Sequence, residues 1–344
     1  MTSNNLNIPA TICRQCILPG TFPGIKFNDK GICKYCQKES EAKQTKAVEK
    51  KSQYKDKLDS LIKEVRDKAP VYDVIMAYSG GKDSSYTLKL LKERYNLRIL
   101  ALTFDNHFVS PVAFDNVKNV TDTLEVDSSI IRPPWSIAKD VFSLTSQQDI
   151  FSKPTLLRAS SICTACIGMV KSVVLKTALE MSIPLVGFGW SPGQAPIQSA
   201  ILKTNPSMIR PNQDALRKAY PQKLSDTLNS WFIPETYFET FKDIFPYNIH
   251  PLAFFDYDEE EIKDELRTIG WQAPEDTDTN SSNCLINAYA NKCHIERHGF
   301  HPYVWEIANM VRQGVMSRDE GLTKIYTEQN SDMVDYAQNK LRPE

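Results

Sequence analysis

The stretch "VIMAYSGGKDSSYTLKLL", residues 74–91, breaks an apolar run with Ser-Gly-Gly-Lys-Asp-Ser and then resumes it with helical spacing. Val74, Ile75, Met76 and Ala77 read as a short buried strand. Ser79, Gly80 and Gly81 cannot continue it, because paired glycines favour a turn and bring no side chain to pack. After Asp83, the spacing of Tyr86, Leu88, Leu90 and Leu91 predicts an amphipathic helix. Strand, glycine turn and helix in that order present backbone N–H groups and a helix N-terminus to an anion. Lys82 adds a positive charge, and Ser79, Ser84 and Ser85 add hydroxyls. An ordinary strand-to-helix turn is the plain alternative. Two glycines, a lysine and three serines within seven residues favour a phosphate.

Working outward, strands are expected at 73–78, 98–104, 128–133, 184–189 and 249–254, with helical patterns between them that include 113–124 and 165–181. This alternation predicts an α/β fold, a parallel sheet with helices on both faces. Ligands of such sheets bind beyond the carboxyl ends of the strands, which puts 79–85, 105–106 and 187–194 on one rim. Beyond residue 256 the pattern becomes helical, in 258–271, 283–297, 303–313 and 318–327. Residues 38–68 are dense in charge, with apolar residues late at Leu58, Leu61, Ile62 and Val65. They read as a spacer helix, against a disordered charged linker. The expected organisation is a cysteine-bearing segment (1–37), a charged linker helix (38–69), a nucleotide domain (70–255) and a helical C-terminal region (256–344).

The chain of 344 residues is 41% hydrophobic and 24% charged, ordinary values for a globular protein. Its formal net charge of −1 gives no global attraction to nucleic acid. No run reads as a membrane span, and the N-terminus lacks the basic start and apolar core of a secretory signal, so a cytoplasmic location is expected. Eight cysteines in that setting favour metal or redox chemistry over structural disulfides.

Cys13, Cys16, Cys33 and Cys36 form two Cys-x-x-Cys knuckles 16 residues apart, the spacing of a closed, structural Zn²⁺ site. Two redox pairs, or free thiols, are the alternatives. Cys163 and Cys166 stand at the head of a helix, where the dipole favours thiolate and Lys171 is a second positive charge. Cys284 and Cys293 remain, and Cys284, in a polar loop at 280–284 before a helix, reaches the rim more readily. Cluster ligands, a persulfide-carrying nucleophile and a structural thiol pair all stay open for this set. His107 reads as a loop histidine, and His294, His298 and His301 as a helix end stopped by Gly299. Arg158, Lys203 and Arg210 read either as further cations for a phosphate or as plain surface charges, and Trp190, Gln194 and Gln198 either as a pocket for a neutral substrate or as a loop stiffened by Pro192 and Pro196.

"SGGKDS" resembles the signature of the PP-loop ATP pyrophosphatases (alpha-adenine nucleotide hydrolases, HUP-like in fold), a likeness that covers roughly 70–255. It implies that ATP is cleaved to AMP and pyrophosphate while a carbonyl or amide oxygen is adenylated. Lys82 and Asp83 would then be catalytic. Ala77, Tyr78, Ser79, Gly80, Gly81, Ser84, Ser85, Thr103, Phe104, Asp105, Gly187 and Gly189 would line the ATP site, with Mg²⁺ bridging phosphate oxygens. Within that family, Cys163–Cys166 resembles the pair of tRNA 2-thiolation enzymes, where two such cysteines and a distant third hold a [4Fe–4S] cluster. Cys163, Cys166 and Cys284 would be those ligands and catalytic residues. The N-terminal segment resembles that of N-acetyl sugar amidotransferases, which implies ammonia from a partner instead. The loop after the fourth strand, "GFGWSPGQAPIQS", lacks the acidic residues usual in the thiolation enzymes. The expectation is thiolation of a small or carrier-bound substrate, with sulfide or a donor protein as sulfur source. Amidation and tRNA thiolation are the alternatives, and a homodimer is left open.

Overall fold

The computed structural model describes residues 6–38, 41–194, 196–277, 281 and 283–342, without the side chains of 41–48. The ends of the expected zinc segment and C-terminal region (1–5 and 343–344), Lys38's neighbours 39–40, and residues 280 and 282 of the polar loop lie outside them.

Six strands form one sheet in the order β3-β2-β1-β4-β6-β5. They are β1 (Val74–Ala77), β2 (Ile99–Phe104), β3 (Asp127–Ile131), β4 (Leu185–Phe188), β5 (Ile201–Lys203) and β6 (Tyr247–Ile249). All pairings are parallel except β5 on β6. β1 lies at the centre, with Val74 opposite both Ile99 and Leu185. Alternate side chains of the central strands enter opposite cores, as the twofold period of a strand requires. Ile75, Leu100, Leu102 and Phe104 pack with helices Trp135–Gln147 and Ser161–Glu180. Val74, Met76, Ile99 and Ala101 pack against Leu88 and Val117 of helices Lys82–Lys89 and Pro111–Leu124. Leu58, Leu61 and Ile62 of the charged helix Glu41–Val65 join this second core, so its late apolar residues dock it as the sequence predicts.

Helix Ser161–Glu180 is long and apolar enough by composition to cross a membrane, which the sequence reading did not anticipate. Here Val173, Val174 and Ala178 are buried against the sheet. The expected strand 249–254 is largely a correction. Only Ile249 belongs to β6, and Pro251–Ala253 is a 3-10 turn, because proline has no N–H for a ladder. The antiparallel β5, and the helices at 206–240 that follow it, had no clear signal.

The C-terminal helices Glu259–Arg267, Asn287–His298, Val304–Arg312 and Arg318–Tyr326 close over the strand ends. The N-terminal segment packs on them: Ile17, Leu18 and Phe22 share a core with Val304, Ile307, Met310, Leu322 and Ile325. Arg318 donates to the carbonyls of Cys13 and Cys16, and the Tyr326 hydroxyl to that of Ile17 at 2.7 Å.

Candidate nucleotide and cysteine site

The turn after β1 is built by contacts that only glycine permits. Gly80 has φ +73°, and a Cβ there would sit 2.1 Å from the Ala113 carbonyl oxygen. Its own carbonyl accepts from Trp271 Nε1 at 3.0 Å and Asn116 Nδ2 at 3.2 Å. Gly189, just past β4, lets the two backbones touch: a Cβ would fall 2.4 Å from Ser84 Cα. Ser79 and Ser84 hydroxyls pair at 3.1 Å, and Ser84 Oγ donates to the Gly81 carbonyl. Gly81 caps helix Lys82–Lys89 with no side-chain hydrogen bond. Tyr78 and Ser85 pair behind the turn, hydroxyl to hydroxyl at 3.1 Å, and Gly187 makes room for Met76, so these three shape the turn from its buried side.

In front of the turn lies a cavity of about 310 Å³, lined by Lys82 and Asp83, by Ser191 and Gln194, and by Tyr257, Glu259, Tyr303, Glu306 and Lys324 of the C-terminal region. The Tyr257 hydroxyl donates to Asp83 Oδ1 at 2.8 Å, and Ser191 Oγ to Glu306 Oε1 at 2.5 Å. Burial pushes the Glu306 carboxyl up to about 7, with the Asp83 charge adding to it and the Ser191 hydroxyl opposing it. The loop after β4 has no acid of its own, yet Glu306 brings one to it from another helix.

The second cysteine set assembles through tertiary contacts. Ser160 caps helix Ser161–Glu180 by accepting from the Cys163 N–H at 3.1 Å, which places Cys163 and Cys166 in its first two turns. Cys284 arrives on a strand-like pairing with Val109, flanked by Ser110 N–H to the Asn283 carbonyl and Leu285 N–H to the Phe108 carbonyl. Asn106 joins the two parts. Its Oδ1 accepts from the Phe108 N–H, and its Nδ2 lies 3.4 Å from Cys166 Sγ and 3.6 Å from Cys284 Sγ. Asn287 Nδ2 reaches Cys163 Sγ at 3.9 Å and the Tyr303 hydroxyl at 2.9 Å. Ser281 Oγ accepts from the Cys284 N–H. Since Tyr303 and Ser281 also line the cavity, polar contacts run from it to the Cys163 thiol and to the Cys284 main chain.

At Cys166 and Cys284 burial works against the expected thiolate. Burial pushes the Cys166 thiol up to about 12, the nearby Cys284 and Cys163 add to it, and Cys284 also moves up by burial. Lys171 lies over the Trp190 ring at 4.8 Å. Cys293 sits apart, beside Tyr289.

The first cysteine set is tighter. Among the described residues, Cys13, Cys16, Cys33 and Cys36 are the one group of metal-binding side chains whose ligand atoms all lie within 4.8 Å of one another. Cys13–Cys36 and Cys16–Cys33 are 3.8 Å apart, sulfur to sulfur. Zinc–sulfur bonds of about 2.3 Å in a tetrahedron separate sulfurs by roughly that distance, so these residues fit Zn²⁺. Backbone N–H groups of Cys16 and Cys33 point at Cys13 Sγ.

No family model matches the chain. An uncharacterized protein of Methanocaldococcus jannaschii is 23% identical over 266 residues, 77% of this chain and 76% of that relative. Among solved structures, the U34-tRNA thiolase NcsA from Methanococcus maripaludis with its [4Fe-4S] cluster aligns over 97% of this chain and 99% of its own, at 16% identity and a TM-score of 0.35. NMN synthetase from Francisella tularensis aligns over 86% of this chain and 97% of its own, at 12% identity and a TM-score of 0.36.

Of the remaining expected site residues, Ala77 ends β1, while Thr103 and Phe104 end β2. Thr103 Oγ1 is buried without a hydrogen-bond partner, and Phe104 meets Trp231 edge-on. Asp105 is engaged by Arg132 and by the His107 N–H. Trp190 stacks on His250 with ring centres 4.1 Å apart, and Gln198 is exposed. Arg158, Lys203 and Arg210 do not line the cavity: Arg210 is held by Glu235 and Glu239, and Lys203 lies over Tyr247. Sequence reasoning missed Tyr257, Glu259, Tyr303, Glu306 and Lys324. The dense acidic start of helix Glu259–Arg267 was their one local trace.

Proposed function

We propose that this chain is a PP-loop ATP pyrophosphatase that adenylates a carbonyl or amide oxygen and replaces it with sulfur on a small or carrier-bound substrate. The observation that carries this reading is the nearness of two sites: Lys82 and Asp83 of the turn line a cavity whose Tyr303 leads through Asn287 to the Cys163 thiol and whose Ser281 holds the Cys284 main chain, with Asn106 between Cys284 and Cys166. Lys82 and the glycine turn would hold the β- and γ-phosphates, and Asp83 would hold Mg²⁺. The substrate oxygen attacks the α-phosphorus and pyrophosphate leaves. Sulfur then attacks the activated carbon, and AMP leaves with the oxygen.

Two of the three thiols lie within 3.6 Å of one amide nitrogen. That suits a [4Fe–4S] cluster ligated by Cys163, Cys166 and Cys284, which when bound would supply an iron open to sulfur. The residues of this chain do the rest. Asn106 holds Cys166 and Cys284 in register, Asn287 orients Cys163, and Tyr303 and Ser281 face the substrate. Buried, polar surroundings keep water from the adenylate. The formal net charge of −1 and the modest cavity favour a small molecule over tRNA.

The test incubates anaerobic protein with ATP, Mg²⁺, labelled sulfide and a deproteinised metabolite extract. AMP, pyrophosphate and a labelled low-mass product are expected, all abolished by Lys82→Ala. Release of ADP and phosphate contradicts adenylation. Incorporation of labelled ammonium in place of sulfide turns the reading to amidation.

A further inference from the structure

The helix Ser331–Leu341 reaches the surroundings of Cys284 from two sides. Near its start, Met333 and Val334 pack with Leu285, Ala288 and Tyr289, which follow Cys284 in the chain. Near its end, Lys340 Nζ donates to the His107 carbonyl at 2.6 Å and to the Tyr336 hydroxyl at 3.0 Å. The same ammonium lies over the rings of Phe108 at 4.7 Å, Tyr336 at 5.2 Å and Trp135 at 5.6 Å. Three aromatic faces hold the cation in place, and its N–H groups remain for the carbonyl.

His107 has φ +68°, in the left-handed region that a residue other than glycine adopts only where its surroundings hold it. Three contacts do so. Its N–H donates to Asp105 Oδ1 at 2.8 Å, its ring Nε2 donates to the Pro133 carbonyl at 2.7 Å, and its carbonyl accepts from Lys340. The turn made there sets the residues on either side. Asn106, before it, presents Nδ2 to the Cys166 and Cys284 sulfurs. Phe108 and Ser110, after it, pair with Leu285 and Asn283 on either side of Cys284.

We infer that Lys340 is a positioning residue of the wider cysteine set. It locks the His107 turn, and through that turn it fixes Asn106 between two thiols and Cys284 against Val109. What the placed thiols do rests on the sulfur-transfer reading, whereas their placement does not. Lys340 stands in a helix of ordinary mixed composition, so its sequence position gives no sign of the role.

Alkylation of the iron-free, zinc-loaded full chain by iodoacetamide, read at each cysteine by peptide mass spectrometry, tests this without any substrate. Lys340→Met keeps an apolar stem against the rings and removes the ammonium. It is expected to speed alkylation of Cys166 and Cys284 about tenfold, the effect of one lost charge-assisted hydrogen bond on a local opening equilibrium, while Cys293 stays within about twofold. Lys340→Arg keeps a cation and a donor and should restore most of the wild-type protection. In an Asn106→Ala background, Lys340→Met should add less than about twofold, because both substitutions act through one set of contacts. Far-UV circular dichroism checks that each variant folds. Wild-type rates at Cys166 and Cys284 in Lys340→Met, or a rise shared equally by Cys293, overturn the positioning role. A wild type that gains no iron on anaerobic reconstitution with iron and sulfide, with the alkylation difference intact, removes the cluster reading and leaves the positioning role standing.

Discussion

The two cysteine sets of this chain are built in opposite ways. Cys13, Cys16, Cys33 and Cys36 come from 24 consecutive residues, are fully buried, and gather within 4.8 Å. Cys163, Cys166 and Cys284 come from segments more than a hundred residues apart, are partly buried, and stand wider, with a polar path to a cavity. A closed tetrahedron of thiolates has no open position, whereas a wider set leaves room for a further ligand; under the proposed function the first serves structure and the second chemistry. What separates them is the geometry of exposure, since both contain the same Cys-x-x-Cys pair.

The largest effect that sharpens this contrast is expected at the closed set. Cys33→Ser should remove zinc and lower the melting temperature by roughly 5–10 °C, because metal binding there is folding free energy. Ile307 and Met310 belong both to the core under the knot and to the cavity wall, so ATP affinity should also fall several-fold. A zinc-free variant with wild-type stability and ATP affinity would break the contrast.

Next in size is Gly80→Ala. The added methyl meets the Ala113 carbonyl in a left-handed conformation, and a loss of about 2–4 kcal/mol is expected, with ATP binding lost in any protein that folds. Urea unfolding measures the first and titration the second. A near-neutral change would show that the turn is not as tight as its contacts indicate.

A third measurement concerns pH. The Glu306 carboxyl is raised from its ordinary value to about 7, so its stabilising protonated form is fully present below the ordinary carboxylate range and is lost as pH rises through 7. Glu306→Gln should therefore match the wild type near pH 5 and exceed it at pH 8 by roughly 1–3 kcal/mol, since a tenfold change in proton affinity corresponds to about 1.4 kcal/mol and solvent screening reduces it. Equal stability of the two proteins at both pH values would count against a buried, proton-holding Glu306.

The smallest effect is expected at Cys293, which lies beside Tyr289 and outside both sets. Cys293→Ser should leave iron, zinc and ATP affinity unchanged and shift the melting temperature by no more than about 2 °C. A loss of iron there would make Cys293, and not Cys284, the third ligand.

The strand-turn-helix at 74–91 was legible because each of its demands is local: an apolar block, two glycines and a helical repeat. The cysteine knot was legible for the same reason. Cys284 was preferred over Cys293 only for its polar loop, and its pairing with Val109 is a contact across 175 positions that no spacing reveals. Tyr257, Glu259 and Glu306 were not legible. Each sits in or beside a charged or amphipathic helix whose pattern reports only which face is buried, and the cavity exists only once those helices close over the strand ends. The short β5 was lost for a related reason, since three residues carry no period.

The central claim, a closed zinc knot beside an open iron-binding set, is tested most directly by elemental analysis of anaerobically purified full-length protein and its Cys284→Ser variant. The account predicts about one zinc and about four irons per chain in the wild type, with the iron lost and the zinc retained in the variant. Zinc alone in both proteins, or iron that survives in Cys284→Ser, would contradict it.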